Sequence, residues 1–233
     1  YVNEPYRRKL AIMAHRLEAS LARVRARMAA GGRDDLPEGY RSDRELLADL
    51  YLIRDSLIHH GDANAAAGPL QDLIRLAETF GFHLVHLDIR PESTRHTQAV
   101  TELFARQPGA PYTALAEAIA HPQPFVIEKA TLTAETRETL EVFEVMARLR
   151  AEIGPGCFGQ YVISMTHAAS HVMEVMLLAR LAGLAGKDRS GWFCEIQVSP
   201  LFETIEDLGH IDAVMGTLFD NETYGALLKA SGN

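Results

Sequence analysis

At 233 residues with a 47% hydrophobic content, the chain is long enough for one large domain or two small ones and apolar enough to bury a sizeable core. A formal net charge of -8 excludes the clustered surplus of Lys and Arg that holds a protein on DNA or anionic lipid, so any anionic ligand must be caught locally. Cys157 and Cys194 are the 2 cysteines, far apart and without metal or redox spacing, which predicts reduced thiols and a cytoplasmic address; no apolar run nears the ~20 residues that span a bilayer. Beginning on Tyr1, without an initiator methionine or signal-peptide pattern, the sequence reads as a segment cut from a longer protein.

Leu10, Met13, Leu17, Leu21, Val24 and Met28 recur at steps of three and four, predicting one face of a long amphipathic helix that Gly31 and Gly32 terminate. Ser42 and Glu45 form a capping box ahead of Leu46, Leu47, Leu50, Ile53 and Leu57, and Gly61 closes this second helix. An antiparallel helical hairpin over residues 1–68 is the expectation, with residues 62–68 as an Ala-rich and Gly-rich loop. Pro69 then suits a helix's first turn and Gly81 its exit.

Residues 69–233 read as strand, helix, strand, helix, strand within one segment. The first strand is His83–Arg90; Pro91 ends it and Ser93 caps a helix to about Arg106, followed by a connector with Pro108, Pro111, Pro122 and Pro124. Thr133 caps a helix whose Leu140, Phe143, Met146, Leu149 and Ile153 share a face, ended by Gly154-Pro155-Gly156. The second strand starts at Tyr161, Ser170 caps the next helix, and a loop from Gly183 to Gly191 returns the chain to a third strand at Cys194 to Ser199. Such alternation implies parallel strands, yet three cannot close a barrel of about eight, so the fold class is helix-rich α/β with a partial (β/α) barrel.

Each strand ends on reactive polar groups, the layout by which α/β folds build active sites. In the first strand the two-residue period places Val85, Leu87 and Ile89 on one face and His86, Asp88 and Arg90 on the other, which points to a cavity on the ionic side. Arg90 can grip a phosphate or carboxylate through its planar fork, with Asp88 orienting it; an Asp88–Arg90 pair that only fixes structure is the competing reading. His83 and His86 fall on opposite faces and do not make a metal pair. Glu195, Gln197 and Ser199 alternate against Ile196 and Val198, and Glu203 follows Pro200, where a carboxylate can hold Mg²⁺ or Mn²⁺ or simply face a helix amino terminus. Glu206 and Asp207 read as helix-terminal acids. Ser164, Thr166 and His167 lack the G-x-S-x-G elbow of a hydrolase, and no P-loop or Rossmann glycine pattern is present.

At these same residues the chain resembles phosphoenolpyruvate carboxylase. Thr79-Phe80-Gly81 through Leu87-Asp88-Ile89-Arg90-Pro91-Glu92-Ser93 resembles the family's "TFG...LDIRQES" signature, Tyr161 to Met165 its "VISM" strand, and Pro200-Leu201-Phe202-Glu203-Thr204-Ile205-Glu206-Asp207-Leu208 its "PLFETLEDL"; Glu4-Pro5-Tyr6-Arg7 matches a family helix start. The departures are Pro91 for glutamine, His171 for the aspartate of "SASDV" and Ser199 for valine. The resemblance implies a carbon–carbon lyase that joins bicarbonate to phosphoenolpyruvate, giving oxaloacetate and phosphate, with Mg²⁺ or Mn²⁺ in a helix-rich barrel. It implies that Arg90 contacts phosphoenolpyruvate, Glu203 is one of two carboxylate metal ligands and Leu201 borders an apolar pocket for carbon dioxide.

The resemblance also implies that the catalytic histidine lies upstream, while the "GYSDSGKD" carboxylate and the "HGRGG" loop follow this segment, so the chain alone is expected to be inactive. Exposed sheet edges lead to the expectation of self-association and of a homo-oligomer. A helical regulatory or interaction domain that keeps the sheet without the chemistry is the alternative.

Overall fold

The structure, a computed structural model, describes residues 3–29, 38–105, 112–121 and 127–232. The predicted stop at Gly31 and Gly32 and the connector prolines Pro108, Pro111, Pro122 and Pro124 lie outside them. The chain divides into two compact units, Tyr1–Val85 with Glu152–Cys157, and His86–Ala151 with Phe158–Asn233.

The first unit holds helices α1 (Pro5–Met28), α2 (Asp43–His59), α3 (Ala63–Ala67) and α4 (Pro69–Phe80). Ser42 caps α2 by accepting the Glu45 N–H at 3.4 Å, but the expected capping box does not close, because the Glu45 carboxylate accepts from Arg16 and the Arg41 N–H instead. Met13, Tyr40, Leu46, Leu50, Ile53, Ile74 and Ala77 form the buried cluster. The predicted apolar stripe of α1 does not make this contact: Met13 is buried, whereas Leu10, Leu17, Leu21, Val24 and Met28 are 39–83% exposed. Polar anchors set the rotation of α1 instead. Lys9 and Arg16 pair with Asp49, Arg16 lies 3.9 Å above the Tyr40 ring, and Ser20 Oγ accepts the Tyr40 N–H at 2.9 Å. Residues 62–68, expected as a loop, include α3, which Asp62 caps through the Ala65 N–H.

The second unit is built on a parallel sheet of β1 (Leu87–Ile89), β2 (Phe158–Ile163) and β5 (Gln197–Pro200), with β2 in the middle. The first strand is shorter than its sequence predicts. Residues 81–85 form turns and bends, with Leu84 at φ 63, and a left-handed residue cannot continue an extended ladder.

Helices α5 (Ser93–Ala105), α6 (Tyr112–Ala120), α7 (Ala134–Ile153), α8 (Ala169–Leu181), α9 (Ile205–Phe219) and α10 (Glu222–Ala230) complete this unit. Thr133 caps α7 through the Thr136 N–H at 3.3 Å. Ser170 is not the cap of α8; Ala168 holds that position, so the helix begins before Ser170. The loop expected between Gly183 and Gly191 is a hairpin, β3 (Ala185–Asp188) and β4 (Gly191–Cys194), with Asp188 accepting the Ser190 N–H and O–H at its turn. The signal was the short Asp188-Arg189-Ser190-Gly191 turn run, with Gly191 at φ 126.

Register fixes which side of the parallel sheet is oily. Ile89, Tyr161 and Val198 pair across the strands and face the helices, where Tyr161 stacks on Phe143 with ring centroids 5.0 Å apart. Asp88, Gln160, Gln197 and Ser199 take the opposite face, in keeping with the two-residue period, but of Val85, Leu87 and Ile89, expected on the oily side, only Ile89 packs on the core while Val85 and Leu87 are exposed. The sheet is an open, partial α/β layer, with β1 and β5 at its edges among the described residues.

Candidate functional site

Three strand ends meet at one edge of the parallel sheet. Arg90 follows β1, Ser164 and Met165 follow β2, and Leu201 and Glu203 follow β5. Because the strands run the same way, these residues share the carboxyl edge, and β2 lies between the strands that carry Arg90 and Glu203.

Arg90 stands on the polar face with its side chain 66% exposed, donating from Nη2 to Asp88 Oδ2 at 3.0 Å. Asp88 Oδ1 accepts the Gln160 backbone N–H at 2.9 Å, so the carboxylate fixes the guanidinium against β2. The Gln160 hydrogen bond, and after it Arg90, hold the Asp88 carboxyl below the usual carboxylate range. Nη2 alone of the Arg90 fork is engaged in a side-chain hydrogen bond among the described residues, and the guanidinium is mostly exposed. Deeper on the same face Gln160 Nε2 donates to Gln197 Oε1 at 2.6 Å, and Ser199 Oγ donates to Gln160 Oε1 at 2.9 Å. This polar row accounts for Gln160, Gln197 and Ser199 on a face that also carries Val162.

Beyond the strands the ladder continues through the loops. Ser164 N–H donates to Pro91 O and Leu201 N–H to Ile163 O, each at 3.0 Å, while Ser93 gives its N–H to Ser164 O and its Oγ–H to Met165 O at 2.7 Å. Ser93, expected as a helix cap, thus fastens the first loop to the second. Met165 adopts φ 56, a left-handed conformation uncommon for a side chain of its size, and from there its N–H donates to Glu203 Oε2 at 2.9 Å. Leu201, 40% exposed, accepts the Thr166 N–H through its carbonyl.

The structure brings the sequence's candidates Arg90, Leu201 and Glu203 to one sheet edge, beside three supports that sequence reading missed. His167 Nδ1 meets Asp207 Oδ1 at 2.5 Å, and Asp207 also closes a capping box with Thr204. The hydrogen bond to His167, then that to Thr204, hold the Asp207 carboxyl below its ordinary range. Gly159 is the second: a Cβ there would stand 2.6 Å from Asp88 Oδ1. The third is a buried pair behind the sheet, His96 Nε2 and Tyr161 Oη at 2.8 Å, where burial lowers the His96 pKa to about 4 and so keeps the ring neutral. The triad once conceivable at Ser164, Thr166 and His167 does not form, since Thr166 Oγ1 is fully buried on Ile163 O and His167 turns to Asp207.

Among the described residues no three His, Cys, Asp or Glu side chains group to hold a metal ion. Glu203 nevertheless suits one ligand position: it is exposed, one oxygen is fixed by the Met165 N–H, and the other accepts no hydrogen bond among the described residues. A hard cation that keeps several waters takes such a lone carboxylate together with ligands from elsewhere.

The phosphoenolpyruvate carboxylase family model matches residues 1–233. A phosphoenolpyruvate carboxylase of Gloeobacter violaceus is 36% identical over 100% of this chain and 26% of its own length. One from Thermosynechococcus vestitus is 38% identical over 94% of this chain and 23% of its own, and one from Ralstonia nicotianae 36% identical over 99% and 25%. The chain therefore spans about a quarter of the relatives it matches. A full-length family match, together with family-like motifs at all three strand ends, means that this chain belongs to the phosphoenolpyruvate carboxylase family.

Proposed function

We propose that this chain supplies one side of the active centre of a phosphoenolpyruvate carboxylase, a carbon–carbon lyase that joins bicarbonate to phosphoenolpyruvate and releases oxaloacetate and phosphate. The observation that carries the reading is the placement of Arg90 and Glu203 at the same sheet edge, one strand to either side of β2.

Arg90 grips the phosphate or carboxylate of phosphoenolpyruvate with the donors that Asp88 leaves free. Glu203 presents its outward oxygen to Mg²⁺ or Mn²⁺, while the Met165 N–H keeps the carboxylate from rotating away. The bound cation supplies positive charge against the negative oxygens that develop on the substrate. Leu201, exposed in the same loop, offers an apolar wall beside them, suited to uncharged carbon dioxide. In this reading further strands of the parent protein extend the sheet beyond β1 and β5 into a barrel, and the free, buried thiols of Cys157 and Cys194 are compatible with a cytoplasmic setting.

A chain with one carboxylate ligand should not turn over alone. Mixed with phosphoenolpyruvate, bicarbonate and Mg²⁺, it is expected to form no oxaloacetate above background in a coupled assay; robust turnover would show that the centre is complete within these residues and overturn the reading. The open strand edges and exposed stripe of α1 favour self-association, in line with a homo-oligomeric parent. Light scattering at micromolar concentration should give a mass above 25.7 kDa, and a clean monomer would refute it.

A further inference from the structure

Three hydrogen bonds join the loop after β2 to the loop after β5 and the first turn of α9 that follows it. Two use backbone groups: Thr166 N–H to Leu201 O at 3.0 Å, and Met165 N–H to Glu203 Oε2 at 2.9 Å. The third is made between side chains, His167 Nδ1 and Asp207 Oδ1 at 2.5 Å. It lies on the far side of Glu203 from β5, so the carboxylate is bracketed by one tie before it and one after.

Asp207 can transmit this contact because its own position is determined. It is 5% exposed, and its Oδ2 accepts both the Thr204 Oγ–H at 2.7 Å and the Thr204 N–H at 3.2 Å. Thr204 returns the bond by accepting the Asp207 N–H at 3.0 Å. Thr204 directly follows Glu203, so a force on Asp207 Oδ1 reaches the peptide unit of Glu203 through one rigid turn. His167 is itself aimed: its backbone N–H donates to His171 Nδ1 at 3.3 Å, and the two rings meet edge to face with centroids 6.0 Å apart. Its side chain is 47% exposed, so truncating it opens no cavity.

We propose that His167 is a positioning residue for the metal centre, acting through Asp207 and Thr204 to hold the Glu203 backbone where its carboxylate meets the cation. His167 touches neither cation nor substrate. Outer partners of a metal ligand, when removed, typically weaken metal binding about 10–100-fold, because the ligand must then be ordered on binding. This inference rests on Glu203 being a metal ligand.

The test uses the full-length enzyme and the electron paramagnetic resonance signal of free Mn²⁺, without substrate. His167→Ala is expected to weaken Mn²⁺ binding about tenfold while the circular-dichroism spectrum shows the fold retained. His167→Asn, which returns an N–H donor near the Nδ1 position, should restore affinity to within about threefold of the parent by the same reasoning. Equal affinity in His167→Ala and parent overturns the proposal, as does a loss that Asn fails to restore. Glu203→Gln, measured in parallel, separates the two readings: if it weakens Mn²⁺ binding and His167→Ala does not, the positioning role alone falls; if it has no effect, the ligand assignment falls as well.

Discussion

In the full-length enzyme, Glu203→Gln is expected to lower activity at subsaturating Mg²⁺ on the order of 100-fold or more, since loss of a direct ligand should exceed the 10–100-fold typical of its outer partners. The amide keeps an oxygen that can still accept the Met165 N–H, so the loop geometry described above is retained. What disappears is the negative charge, and a hard cation discriminates strongly between carboxylate and neutral amide. The defect should recede as Mg²⁺ or Mn²⁺ is raised, moving the metal activation constant far more than the phosphoenolpyruvate KM. An activation constant equal to that of the parent would remove Glu203 from the metal site.

Arg90→Ala should act on substrate instead. Hydrogen bonds to a charged partner are worth about 1.5–3 kcal/mol, which corresponds to a rise of about 10–150-fold in the phosphoenolpyruvate KM. The residue is mostly exposed and Asp88 keeps its bond from Gln160, so the fold should be unaffected. Arg90→Lys should recover only part of the loss, because an ammonium returns the charge without the two-pronged geometry. If Ala and Lys both leave the KM unchanged, the Asp88–Arg90 pair is structural only, the competing reading of this strand.

The two-residue alternation in Asp88-Ile89-Arg90 was enough to place the polar face, because register in a packed sheet fixes both sides at once. The shared edge of the strand ends was legible for the same reason. Strand length was not: the His83–Val85 run is apolar enough to extend, but Leu84 turns left-handed, and tertiary context overrides local preference there. The stripe of α1 is a similar case. Apolar spacing correctly gives a helix, yet Lys9, Arg16 and Ser20 decide which side docks, and ion pairs 33 and 40 residues apart leave no local pattern. The His167–Asp207 tie escaped for that reason too, its partners being 40 positions apart, one on the loop after β2 and the other in the first turn of α9.

Gly159 carries no functional group, yet it determines how far Asp88 can reach over β2, since even a methyl there would collide with the carboxylate that aims Arg90. Position 159 thus behaves as a spacer beside the Asp88–Arg90 pair. A saturation scan scored on activity would flag it among the intolerant sites, and a survey confined to ionisable residues would pass over it. For anyone redesigning this centre to accept a bulkier anion, the practical rule is to leave that hydrogen in place and seek room on the Leu201 side.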